Sequence, residues 1–275
     1  MNTILRTASV ALVILSGTAI AGCNRGGADD GGDEDVDSAT AALAADGTDA
    51  SAAASQATDI DSQVFAAIDV TDPTAAAIEA TSSPVTSPPA CVTRSQLSAT
   101  EIEFTFNGCT GPFGLVALTG SETATFSEGA GGALHIELAS DGLMANGLPI
   151  VHAASADVTF DGALRHVDWH GGWTHTTVAG RAVAQTNDFT LAIDTASSCV
   201  TIDGTSDTTV DARGVNLSFS SLKLCGFATG ACPSGSVAIT GENRPGVLTL
   251  SYDGSGDVAV TAGALDFSVH VACGE

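Results

Sequence analysis

Seven dipeptides between Cys91 and Glu275 constrain this chain more than any other feature: Asn107-Gly108, Asp141-Gly142, Asn146-Gly147, Asp161-Gly162, Gly171-Gly172, Asp203-Gly204 and Asp253-Gly254. Such pairs accept the positive φ of tight hairpin turns. Between them lie runs that alternate in character, including Glu101-Ile102-Glu103-Phe104-Thr105-Phe106 and residues 133–138, 156–160 and 265–271, rich in β-branched or aromatic side chains. Alternation over four to eight residues is the mark of a strand with one face buried. The pattern predicts an all-β domain over residues 91–275, an antiparallel meander forming either a sandwich or a curved, barrel-like sheet.

Cysteine usage adds a second constraint. Cys91, Cys109, Cys199, Cys225, Cys232 and Cys273 form an even set, the arithmetic of disulfides in an exported protein. The six residues between Cys225 and Cys232 do not suit a zinc knuckle. A hairpin pairs positions symmetric about its turn. Cys91 and Cys109 are symmetric about Thr100, and Cys199 and Cys225 about Ala212, beside Arg213-Gly214. Both pairs suit cross-links between neighbouring antiparallel strands. Cys232 with Cys273 would complete the set; the competing arrangement joins Cys225 to Cys232 and Cys199 to Cys273.

The N-terminal part reads differently. Residues 1–22 carry Arg6 as the one charge, then an apolar run ending in Ile20-Ala21-Gly22-Cys23. This is the layout of a signal peptide, too short to span a bilayer comfortably. The quartet Ile20-Ala21-Gly22-Cys23 resembles the lipobox of bacterial lipoproteins. The resemblance implies cleavage before Cys23, a diacylglyceryl group on its thiol and an amide-linked acyl chain, and hence a membrane-anchored protein of the cell envelope. Two or three acyl chains anchor stably where one does not. Asn24, where an Asp would favour the inner membrane, points to the outer membrane.

Residues 23–58 are Gly-, Ala-, Ser- and Asp-rich and read as an acidic flexible tether. Asp33, Asp35 and Asp37 begin like a calcium loop, but Ser38 and Ala44 stand where that loop needs Gly and Glu. Residues 59–90 read as two short helices and a Pro-rich linker. Ile60, Val64, Phe65 and Ile68 fall on one helical face, and Asp72-Pro73 is a helix start. The net charge of -24 excludes nucleic acid and bare anionic lipid as partners, leaving the covalent lipid, an envelope protein or a glycan.

One stretch gathers side chains capable of chemistry. Residues 164–175 hold three of the six histidines and both tryptophans. If Gly171-Gly172 is a hairpin turn, His166, Asp168, His170 and His175 share a face and can close on zinc or copper. The competing reading is a solvated polar face with Trp169 buried opposite. Trp169 or Trp173 could instead stack on a sugar or a partner. Residues 203–207 and 253–257, each with an Asp at either end, suit turns better than calcium sites. No nucleophile elbow, zinc-protease helix or phosphate loop is present. Nothing here demands a cofactor, and the sequence favours a binding, interaction or structural role over catalysis.

Overall fold

The computed structural model describes residues 68–82, 91–110, 117–177, 180–197, 199–225, 231–242 and 246–270, together with Leu43, Asp46, Gly47, Asp61 and Phe65. The signal peptide, Cys23, the linker at 83–90 and Cys273 lie outside the described residues.

Helix α1 (Pro73–Ser82) precedes, among the described residues, thirteen strands. These are β1 (Val92–Ser98), β2 (Glu101–Thr110), β3 (Ala117–Glu128), β4 (Leu134–Ala145), β5 (Leu148–Asp161), β6 (Leu164–Thr176) and β7 (Ala182–Asp194). They continue with β8 (Cys199–Val210), β9 (Arg213–Cys225), β10 (Ser234–Gly241), β11 (Val247–Asp253), β12 (Asp257–Ala262) and β13 (Leu265–His270). All thirteen form one sheet in chain order, every neighbour antiparallel, so the meander is realised as a single continuous sheet rather than two stacked ones. Among the described residues β1 and β13 are not paired with each other, and the sheet is open.

Alternation sorts the side chains. Along β7, Val183, Gln185, Asn187, Phe189, Leu191 and Ile193 are buried, while the residues between them face outward. Most inward apolar residues of β1 to β12 join one core with Leu43, Phe65, Ile68 and the alanines Ala76, Ala77 and Ala80 of α1, while Val183 and Val210 pair apart from it. Strands lie ~4.8 Å apart, so thirteen would span well over 50 Å if flat. One helix and a few upstream residues cover so broad a face only because the sheet curls around them. An aromatic row marks its middle: Trp169 stacks on Phe189 at 5.5 Å, and Phe189 meets Phe219 edge-on at 5.3 Å.

α1 begins where Asp72-Pro73 predicts. The Asp72 carboxylate accepts the Ala75 N–H at 2.8 Å, and proline occupies the first turn, where its missing N–H costs nothing. The helix runs to Ser82, and the Thr81 hydroxyl donates to the Ile78 carbonyl in its last turn.

Cys91 is bonded to Cys109 and Cys199 to Cys225, each joining adjacent strand ends, with Cys199 and Cys225 directly opposite in register. The alternative of Cys225 with Cys232 is therefore excluded. Cys232 is disulfide-bonded as well.

Four of the seven predicted turns are not turns. Asn107-Gly108, Asp141-Gly142 and Asp203-Gly204 sit inside β2, β4 and β8 at shifts of register, where the positive φ of the glycine makes a bulge. Residues 203–207 are therefore strand, whereas Asp253 caps a real turn by accepting the Ser255 N–H at 2.8 Å. Gly171-Gly172 lies in the middle of β6, paired continuously with both neighbours. Its glycines answer a packing demand. A Cβ at Gly171 would lie 2.6 Å from the indole of Trp169, and one at Gly172 would lie 2.7 Å from the Gln185 carbonyl.

A buried carboxylate–histidine cluster

The absence of a hairpin at Gly171-Gly172 dissolves the predicted metal face. Along β6, His166, Asp168 and His170 project outward and are exposed, whereas His175 is half-buried on the opposite, inward face. Their partners are local: Asp168 accepts from the Thr190 hydroxyl at 3.3 Å, and His170 Nδ1 lies 3.3 Å from Asp188. Trp169 and Trp173 are 2% and 3% exposed and point into the core, so neither ring is offered to a sugar or a partner.

The concentration of chemistry lies instead inside the sheet. At one level the inward positions on six consecutive strands are Glu122, Ser140, His152, Trp173, Gln185 and Thr208, all but the tryptophan polar. Glu122 is opposite Ser140, His152 opposite Trp173, Trp173 opposite Gln185, and Gln185 opposite Thr208. The Ser140 hydroxyl accepts the His152 N–H at 2.8 Å and so links β4 to β5 across a bulge.

Asp61, from upstream of α1, packs onto this row beside Glu122 and His152, and the three are 1%, 0% and 1% exposed. His152 Nδ1 donates to Glu122 Oε1 at 2.6 Å, while Nε2 lies 3.4 Å from Asp61 Oδ2. The Trp169 indole N–H donates to the same Asp61 oxygen at 2.7 Å, and the Trp173 ring lies 4.6 Å from the imidazole. Asp61 Oδ1, Glu122 Oε2 and His152 Nε2 are buried with no hydrogen-bond partner, as is the Trp173 indole nitrogen.

Burial alone would push the imidazole of His152 toward neutrality, but the carboxylates of Asp61 and Glu122 outweigh it and raise its pKa to about 10. Burial raises Glu122 as well, against the opposing pull of the histidine. The cluster therefore concentrates negative charge in a low-dielectric interior and holds protons there. One ligand atom from each of Asp61, Glu122 and His152 lies within 4.8 Å of the others, which makes the cluster a candidate cation site.

Sequence reasoning passed over all three residues because it grouped histidines by nearness along the chain. A signal was present for two of them. Glu122 is in phase with Ala124 and Phe126, and His152 with Ile150 and Ala154, so each charge falls on an apolar strand face. Asp61 carries no such mark, since the indole it meets is 108 residues away.

Two other features complete the candidate sites. Asp46 is 2% exposed and accepts from Arg181 at 3.2 Å and from Arg213 at 2.9 and 2.8 Å, while Arg165 donates to the Ile68 carbonyl at 2.7 Å. On the outer face, an open groove of about 800 Å³ crosses β5 to β10, lined among others by Val151, Thr174, Thr186, Asp207, Asn216 and Glu242.

No protein-family model matches the chain, and no curated protein or solved structure matches it either.

Proposed function

We propose that this protein is a lipid-anchored module of the bacterial cell envelope, held in the outer membrane by acyl chains on Cys23. It acts by binding or scaffolding rather than by catalysis, with an envelope protein or a glycan as partner. The observation that carries the reading is Ile20-Ala21-Gly22-Cys23 at the end of a short apolar run, followed by an acidic, small-residue tether. Disulfides joining strand ends fit an oxidising compartment outside the cytosol.

The placement of reactive groups supports a non-catalytic role. The cluster of Asp61, Glu122 and His152 is covered on every side and offers a substrate no approach. An accessible concavity is the groove on the outer face, whose threonine hydroxyls, Asn216 amide and flanking carboxylates match the hydrogen-bonding needs of a polyhydroxylated or peptide-like partner.

Expression in a bacterial host with an alkyne-bearing palmitate analogue tests the anchor. Label should enter the wild-type protein and fractionate with outer membrane, and Cys23→Ser should lose both label and membrane. Label that persists in Cys23→Ser, or never enters the wild type, overturns the proposal. A photo-cross-linking residue at Val151, which is 63% exposed in the groove, then captures the partner in the envelope.

A further inference from the structure

We infer that Asp61, Glu122 and His152 together bind one divalent transition-metal cation, zinc being the representative, and that the ion clasps the segment carrying Asp61 to β3 and β5. The site is independent of the lipid anchor and lies among residues other than the histidines of β6.

Three observations converge on it. The first is charge. Two carboxylates and a neutral imidazole carry a charge of minus two, which a divalent ion cancels. The metal-free alternative, an imidazolium between two carboxylates, leaves one negative charge in an interior where an uncompensated ion is costly. Among the described residues the ion pairs of Asp61 and Glu122 are with His152 alone.

The second is spacing. His152 Nε2 and Asp61 Oδ2 are 3.4 Å apart, longer than an ordinary hydrogen bond of ~2.7–3.2 Å. It is close to the edge, ~3.3 Å, of a tetrahedron whose zinc–ligand bonds are ~2.0–2.1 Å. One ligand atom from each of the three residues falls within 4.8 Å of the others, a span that small side-chain rotations bring inside one coordination sphere.

The third is the set of atoms left over. Asp61 Oδ1, Glu122 Oε2 and His152 Nε2 have no hydrogen-bond partner, so each of the three residues keeps a buried atom uncommitted. The Trp169 N–H already fixes Asp61 Oδ2 beside Nε2, and for Glu122 to join the same ion the imidazole turns out of its Nδ1 hydrogen bond to Oε1. One histidine with two carboxylates suits zinc, manganese or iron(II) rather than the thiolate-loving ions. Binding displaces the proton on Nε2 to solvent.

The test uses the full-length protein in detergent, stripped with a chelator and titrated with zinc alone. Wild type should take up about one equivalent, measured by mass spectrometry of the metal and by calorimetry. Asp61→Asn and Glu122→Gln, which preserve shape, should each weaken binding by about 100-fold or more. The triple variant His166→Gln, His170→Gln, His175→Gln should bind as wild type does. No stoichiometric zinc in wild type, zinc that survives Asp61→Asn together with Glu122→Gln, or zinc lost with the β6 histidines would each overturn the site. Should the cluster variants not fold, thermal unfolding of the wild type decides. An ion in the core must raise the midpoint and a chelator must reverse it, and an unchanged midpoint sinks the proposal.

Discussion

His152 on β5 and Glu122 on β3 are joined at 2.6 Å although β4 runs between them. Their side chains meet over the top of an intervening strand, in the interior of a curved sheet, with neither exposed to solvent. This is what curvature does to a meander. On a flat sheet, inward residues two strands apart stand nearly 10 Å from each other. Curling toward the inner face brings their tips together, and a charge placed on each becomes a buried pair.

Breaking that pair from one side leaves an ion without its partner. His152→Leu or Glu122→Leu alone should lower the unfolding free energy by about 3–5 kcal/mol. The double variant should cost less than the sum of the two, because it removes both charges. Urea unfolding of wild type, the two single variants and the double variant gives the coupling directly; additive losses would show that the two side chains do not act as a unit.

The cluster also sets a pH dependence for the metal-free protein. His152 has its pKa raised to about 10 by its two carboxylates, against about 6.5 in an unfolded chain. A raised pKa means that the folded state binds the proton more tightly. The stabilisation is complete below about pH 6.5 and is lost as pH climbs through 10. Glu122, also raised, works in the same direction. Denaturation midpoints in chelator should fall between pH 6.5 and 10 in wild type, and His152→Leu should flatten that fall.

The strand content was legible because alternation is a local property, and residues such as Glu101 to Phe106 carry it plainly. The direction of the chain at a glycine was not. Asn146-Gly147 and Asp203-Gly204 look alike, yet the first makes a turn and the second a bulge within β8. Both need a positive φ, and only the pairing partner decides between them. Conversely, the turn joining β8 to β9 is made by Asp211 and Ala212 at φ 48° and 67°, with no glycine at either position. Gly171-Gly172 misleads for a further reason: what forbids a side chain there is the Trp169 indole and a carbonyl of β7. Once that pair is placed in mid-strand, His175 falls on the opposite face from His166. The buried cluster was half legible, in the phase of Glu122 and His152, but a curved sheet had to exist before either could meet Asp61.

Gly171→Ala tests the close approach. The new methyl group would lie 2.6 Å from the Trp169 ring and 2.7 Å from the Ala154 Cβ. Overpacking of this kind costs about 1–3 kcal/mol. Trp169→Phe in the same chain should recover part of the loss by removing the second ring. If Gly171→Ala unfolds at the wild-type midpoint, the indole does not lie over the glycine.

Cys199 and Cys225 close a loop with a sequence separation of 26 residues. Restricting the unfolded chain by a loop of that length stabilises the native state by about 3 kcal/mol. The double variant Cys199→Ala, Cys225→Ala should lose that amount in urea unfolding. It should keep the β spectrum, since eleven registered pairs already hold β8 to β9. Collapse of the spectrum would mean that the bridge directs strand pairing rather than only limiting the unfolded chain.

Asp46 fastens the upstream residues to the far side of the sheet from α1. Its carboxylate takes hydrogen bonds from Arg181, just before β7, and Arg213, at the start of β9, and is itself buried. Charge-assisted bonds of this kind contribute about 1.5–3 kcal/mol each when desolvated, and less here because both guanidinium groups reach water. In Asp46→Ala the arginines can hydrate, so the penalty falls on the attachment rather than on the sheet. Hydrogen exchange should therefore quicken at Leu43, Asp46 and Gly47 while the amides of β5 to β9 keep their protection. Asp61 should hold its own neighbourhood through Trp169 and His152, so the loosening should stop short of it. Protection lost evenly across sheet and segment would mean instead that the upstream residues and the strands open as one cooperative unit, and that Asp46 is part of the core it covers.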